Sequence, residues 1–144
     1  MITDIKLIAT EVGDYDISFI KGDIELTSTI DTALLMSIYC ERRADFSEVA
    51  LSKYRRGWCG NVLLYDLLFE IGSKLWLLKQ SRVIPHNLER AKRYALEALQ
   101  WMIAKDIFDK IFVNTSYGSA NDMLINIKTV KSNNTKEYSL SYGI

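Results

Sequence analysis

Hydrophobic residues alternate with polar ones near the start of this chain, recur at helical spacing through its middle, and alternate again toward its end. The first alternation lies in YDISFIKGDIELTS. Tyr15, Ile17 and Phe19 alternate with polar or small neighbours, a turn falls near Lys21-Gly22-Asp23, and Ile24 and Leu26 resume the pattern. Two-residue periodicity around a glycine-containing turn predicts a β-hairpin. Ser28 or Thr29 then supplies a helix cap, with Asp31 in the first turn. Ile30, Ala33, Leu34, Ser37 and Ile38 fall on one face, so a helix is expected up to about Cys40.

Residues 42–62 have no clear period and read as a long irregular connection, a feature that in compact domains is usually functional or a docking surface. In VLLYDLLFEIGSKLWLLKQ, the spacing of Leu64, Leu67, Leu68 and Ile71 predicts a helix with those residues facing inward. Gly72 breaks the run, and Ser73 can cap a second piece that turns Leu75, Trp76 and Leu78 inward. After Pro85, a start near Asn87 leads into the stripe Leu88, Ala91, Ala95, Leu99 and Met102, an amphipathic helix with Glu89 and Lys105 at the ends its dipole favours.

Beyond Asp106 the propensities switch to strand. IFDKIFVNTS, MLINIKTV and EYSLSYGI are rich in β-branched and aromatic residues and are separated by YGSAND and KSNNTK. In the last, Tyr138, Leu140, Tyr142 and Ile144 share one face, and Ser139, Ser141 and Gly143 the other. The fold class expected is α+β: an N-terminal β-hairpin, two to three central helices and a C-terminal three-stranded antiparallel meander, forming one domain over residues 1–144. No linker, low-complexity tract or internal repeat is apparent. One strand of such a meander must be an edge, offering backbone groups to a partner that can add a strand.

Composition narrows the function classes. The 144 residues are 49% hydrophobic and 25% charged, with 18 basic residues balancing 18 acidic ones. A duplex-binding domain normally carries surplus positive charge to displace counterions, so zero net charge argues against nucleic acid as the main partner. It also weakens colloidal repulsion, which suits a protein that works inside an assembly and predicts a tendency to self-associate. MITDIKLIAT lacks a signal-length apolar stretch, and nothing approaches the roughly twenty apolar residues of a membrane span, so a soluble cytosolic product is expected. Cys40 and Cys59 are then expected to be reduced and to act as small buried hydrophobes.

Candidate chemistry is sparse. His86 is the single histidine, beside Pro85, with no cysteine or serine motif placed to use it, and reads as a surface or cap residue. One histidine and two distant cysteines match no metal-ligand spacing, and no phosphate-binding glycine loop is present, so no cofactor is expected. Glu41, Asp45, Glu48, Asp66 and Glu70 surround the irregular connection, and two acids across a cleft suffice for glycoside hydrolysis, but nothing in their spacing selects a pair. Tyr54-Arg55-Arg56-Gly57-Trp58 could stack and clamp a single strand. Residues 41–61 hold five basic residues against three acidic, a thin local excess of two. Arginine beside tryptophan is equally the composition of a protein-interface hot spot, or of a loop pinned internally by a buried Trp58.

Taken in order, these segments resemble the small baseplate proteins of Mu-like contractile-tailed phages, relatives of the T4-type baseplate wedge protein that initiates the tail sheath. The resemblance runs from DIKL (residues 4–7) to the end of the third helix. It rests on the hairpin Gly22-Asp23-Ile24-Glu25-Leu26, the double arginine Arg42-Arg43-Ala44, and the corner Arg56-Gly57-Trp58-Cys59-Gly60-Asn61, similar to an RRGWWGD pattern. Gly72-Ser73-Lys74-Leu75-Trp76-Leu77-Leu78 and Ala91 through Met102 complete it. Cys59 stands where the family usually has a second tryptophan, and Asn61 where it usually has aspartate. A salt bridge from that aspartate to an arginine would here become a neutral hydrogen bond.

The resemblance implies a non-enzymatic structural protein of the virion tail baseplate, assembled in the host cytoplasm, in copies matching a six-fold arrangement. Its partners would be other wedge proteins and the tail sheath, with no nucleic acid or membrane. A tail-associated cell-wall hydrolase is the alternative. Arg42, Arg43, Arg55, Arg56 and Trp58 are the candidate contacts at the corner, and Tyr138, Leu140 and Tyr142 those on the last strand, whose edge would template sheath assembly.

Overall fold

The computed structural model describes residues 2–10, 15–49, 54–79, 84–119 and 122–143. Its last quarter is the meander expected: β7 (Lys110–Tyr117), β8 (Asp122–Lys131) and β9 (Asn134–Gly143) pair antiparallel in that order. Lys131 opposes Asn134 across Ser132-Asn133, both with positive φ, the two-residue turn whose twist matches flanking strands. Period-two alternation sends Ile111, Val113, Met123, Ile125, Ile127, Leu140 and Tyr142 to one buried face. Ile144, expected on that face, lies outside the described residues.

Two helices cover that face. α1 (Thr29–Tyr39) is capped by the Ser28 hydroxyl, which accepts from the Ile30 amide at 3.3 Å. It buries Thr32, Leu34, Ser37 and Ile38, whereas Ile30, expected inward, is exposed beside the cap. α2 (Pro85–Ala104) starts at Pro85 rather than Asn87, because proline at the first helical position lacks only an amide that would have no partner there. It buries Ala91, Ala95, Leu99 and Met102 as the stripe predicts, with Leu88 half-buried. Asp106, at φ 58°, ends it: the Asp106 amide donates to Ile103 and the Ile107 amide to Met102, the paired closure of a Schellman motif. Inside, the Trp101 indole N–H donates to the Ser37 hydroxyl (3.0 Å), which itself donates to the Ala33 carbonyl (2.8 Å), so a fully buried hydroxyl is satisfied.

The N-terminal segment is more than a hairpin. β4 (Phe19–Ile20) and β5 (Asp23–Ile24) do form one around Lys21-Gly22. But β3 (Tyr15–Ile17) pairs with β2 (Leu7–Ala9), and β6 (Leu26–Ser28) with β1 (Thr3–Ile5). Three short ribbons therefore meet at a point. There Lys6 donates its amide to the Glu25 carbonyl (2.8 Å), Glu25 to Ser18 (2.8 Å) and Ser18 to Lys6 (2.9 Å), a closed ring of backbone hydrogen bonds. Glu25 seals it with its carboxylate, accepting from Lys6 Nζ at 2.7 Å and from the Ser18 hydroxyl at 2.6 Å, which holds that carboxyl below its ordinary range.

This junction corrects the expectation of no internal repeat. DIKL (4–7), DISF (16–19) and DIEL (23–26) are copies of one tetrapeptide, Asp-Ile-x-apolar, with x the junction residue. Each aspartate accepts from the amide that follows it, Ile5 at 2.8 Å, Ile17 at 2.7 Å and Ile24 at 2.8 Å. The flanking apolar residues oppose one another in pairs: Ile5 and Leu26, Leu7 and Ile17, Phe19 and Ile24. Thr32 of α1 ties the junction to the body by donating to the Ile5 carbonyl (3.0 Å).

Candidate protein-interaction site

The stretch after α1 is held by its backbone. Ser73 donates its amide to the Cys40 carbonyl (2.8 Å) and Arg42 its amide to the Ser73 carbonyl (2.9 Å), so residues 40–42 and 73 run side by side. The buried Ser73 hydroxyl donates to the Ile38 carbonyl (2.6 Å) and accepts from the Leu75 amide (3.3 Å). The Ser73 hydroxyl thus meets the first amide of a short 3-10 helix, Leu75–Leu78, whose N-cap is Lys74 rather than the expected Ser73. Gly72 makes the approach possible: at φ +119°, a Cβ there would lie 2.9 Å from the Arg42 nitrogen and 3.0 Å from the Cys40 oxygen.

On this frame the arginines are engaged one by one. Arg42 pairs with Glu70 at 3.2 Å, and its carbonyl accepts from the Trp76 indole at 2.8 Å. Arg55 Nε donates to the Ala44 carbonyl and its guanidinium sits 4.1 Å from the Phe46 ring centre. Arg56, at φ 52°, pairs with Glu41 and lies 4.9 Å over the Trp76 ring. The exposed Arg43 packs its Cβ where Gly57, at φ +127°, leaves room. Trp58 is half-buried with its indole over Gly60, where a Cβ would fall 2.3 Å from the ring. The corner is therefore both an anchored loop and a surface, since Arg43, Phe46, Tyr54 and Arg56 stay exposed.

Four of the five acids around it, all but Asp66, are spoken for. Lys74 binds Asp45 at 3.0 Å and Glu48 at 2.8 Å. The Lys74 hydrogen bond keeps the Asp45 carboxyl below its ordinary range, the opposite of what a general acid needs. With Glu41 on Arg56 and Glu70 on Arg42, these carboxylates act as counter-ions, so the geometry gives the hydrolase reading no support.

Asn61 makes neutral hydrogen bonds, and among the described residues their partner is backbone rather than an arginine: its amide donates to the Ile71 carbonyl (2.9 Å) and accepts from the Ile71 amide (2.8 Å), imitating a backbone pair. The chain between these residues is not an inward-facing helix. It is a 3-10 helix, Cys59–Leu67, with no buried residue; Leu67 is exposed and Leu68, just after it, is 91% exposed, and of the four residues expected inward Ile71 alone is buried, with Leu64 half-buried. So apolar a run would ordinarily be buried, but the Asn61–Ile71 clamp holds it clear of the body. Cys59, expected to be a buried hydrophobe, is exposed at its base, while Cys40 is half-buried and both thiols are free. Burial, and then the nearness of Cys59, push the Cys40 thiol up.

On β9, Leu140 and Tyr142 point into the core, and Tyr138 is half-buried with its hydroxyl donating to Asp31 at 2.7 Å. Their side chains line the inside of the sheet and do not present themselves to a partner. What the strand does offer is backbone. The Ser141 carbonyl accepts from Tyr39 Oη at 2.6 Å, on the side away from β8. Antiparallel alternation then turns the backbone groups of Ser139 and Glu137 the same way. The structure also brings β9 to the corner: Tyr142 is pushed up to about 12 by burial and then by the Glu41 charge, with Arg56 pulling it back.

The family model described as Phage protein GP46 matches residues 30–136, which span α1, the corner, the projecting loop, α2 and most of the meander. The chain belongs to the phage protein GP46 family. Baseplate protein gp46 of Escherichia phage Mu is 37% identical over 102 residues, covering 69% of this chain and 68% of that protein. Mu-like prophage FluMu protein gp46 of Haemophilus influenzae is 27% identical over 118 residues, covering 82% and 80%. The GP46 match includes every candidate residue of the corner and leaves out the three-ribbon junction.

Proposed function

We propose that this chain is a structural, non-enzymatic component of the tail baseplate of a Mu-like phage or prophage, joining wedge proteins and seeding the tail sheath. Kinship with the Mu baseplate protein carries the baseplate part of the reading. The sheath part is supported by the order β7-β8-β9, which leaves β9 with one side unpaired by any strand among the described residues. A sheath segment adding there would bond to the outward backbone of Glu137 and Ser139, while the corner arginines seat the protein among wedge neighbours in the six-fold array.

Quantitative mass spectrometry of purified particles, before and after stripping the sheath, tests this. A fixed low copy number retained with the baseplate is the expected result, and absence from particles while abundant in the lysate would sink it. Glu137→Pro addresses the edge alone. It removes an outward amide and a surface ion pair to Lys128 worth at most about 1 kcal/mol, so particles should retain the protein yet assemble sheath poorly.

A further inference from the structure

The strongest unassigned surface is the loop between Asn61 and Ile71. Val62, Leu63, Tyr65, Leu67 and Leu68 are all exposed, Leu63 at 85% and Tyr65 at 81%. Their exposure is built into the fold, because both ends of the loop are fixed. Asn61 clamps Ile71, and Phe69 stacks on Trp101 with ring centres 4.5 Å apart and planes 12° from parallel. Leu68 is also held at φ 56°, a left-handed conformation that branched bulky side chains avoid. Strain of this kind gathers at sites where surrounding structure enforces it for a purpose.

We propose that this loop is a docking knob that inserts into an apolar, basic-rimmed groove on a different protein of the baseplate; the inference rests on the baseplate reading above. Area argues against a second copy as the occupant. At roughly 60–120 Å² of apolar surface per aliphatic side chain, five side chains offer on the order of 450 Å². A standard stable interface covers about 800 Å² per partner. Knob against knob is also convex against convex and sets Asp66 facing Asp66. A groove reaches the flanks as well as the tip. Charge fixes the character of its rim: residues 59–71 hold two acids and no base, Arg42 already takes Glu70, and Asp66 sits exposed between Tyr65 and Leu67. A lysine or arginine beside the groove would meet it.

The test places p-benzoylphenylalanine at position 63 of the full chain in the producing strain, irradiates purified particles and maps the cross-linked peptides. Cys59 alkylation by a maleimide is compared between free protein and particles. The expected result is a cross-link to another tail protein, in a peptide with Lys or Arg beside apolar residues, and Cys59 alkylation at least tenfold slower in particles. Leu63→Asp and Asp66→Lys, both at exposed positions, should melt like the parent yet enter particles about tenfold less. A cross-link to a second copy overturns the proposal. So does a chain present in particles without a cross-link and with Cys59 as reactive as when free, or normal incorporation of both variants. Absence of the chain from particles overturns the baseplate reading, and this proposal with it.

Discussion

Replacing Asn61 by alanine removes two hydrogen bonds that reach a buried backbone: the amide nitrogen of Asn61 donates to the Ile71 carbonyl and its oxygen accepts from the Ile71 amide. A net hydrogen bond contributes about 1 kcal/mol, and an unsatisfied buried group costs about 1–3 kcal/mol. Asn61 is only half-buried, so water can reach the vacated groups in part and the lower end of that range applies. The expected cost is about 2–3 kcal/mol. At roughly 3 °C per kcal/mol for a chain of this size, Tm should fall by about 6–9 °C. Asn61→Asp keeps the acceptor for the Ile71 amide but turns a second carboxylate oxygen on the Ile71 carbonyl, acceptor against acceptor, so at neutral pH it should cost at least as much. Urea unfolding with an unchanged m-value would give both differences, and hydrogen exchange at the Ile71 amide would locate them. Asn61→Ala within 0.5 kcal/mol of the parent, with Ile71 exchange unchanged, would refute the clamp.

Gly72→Ala sets a Cβ against the Arg42 nitrogen and the Cys40 carbonyl at φ +119°, and both obstacles are backbone; a loss of about 3 kcal/mol or more is expected in the same assay. Leu68→Gly relieves a left-handed conformation costing about 1–2 kcal/mol against a glycine entropy penalty of about 0.5–1 kcal/mol. The isolated protein should therefore gain up to about 1 kcal/mol by thermal unfolding, while losing a knob side chain. Asp31 is drawn up by burial, but hydrogen bonds from Lys136 and Tyr138 outweigh that and leave its carboxyl below the ordinary range. A depressed folded pKa gives stability that is present above the unfolded value of about 3.9 and lost as pH falls through the folded one. Asp31→Asn should therefore be less stable than the parent at pH 6, with the two denaturation curves converging in strong acid.

Local pattern determined a good deal of this protein. The meander, the α2 stripe and the Ser28 cap followed from periods of two and 3.6, because in a sheet or helix covered on one side each apolar residue reports its own face. The glycines at 57 and 72 punctuate the corner as their backbone freedom requires. The repeat DIKL, DISF, DIEL was equally present in the sequence, but its meaning was not. Only three ribbons meeting in space turn Lys6, Ser18 and Glu25 into one hydrogen-bonded ring. The corner's composition pointed to its arginines and Trp58, but the indole under Arg56 is that of Trp76, and the partners Glu41, Glu70 and Trp76 lie 15 to 34 residues along the chain from the residues they bind. The segment from Val62 to Leu68 marks the limit most clearly. Hydrophobicity alone sends it inward, and its spacing fits a helix. Tertiary structure sends it out, because the sheet and the two helices already fill each other's apolar faces, and the Asn61 clamp closes the loop before it can reach them.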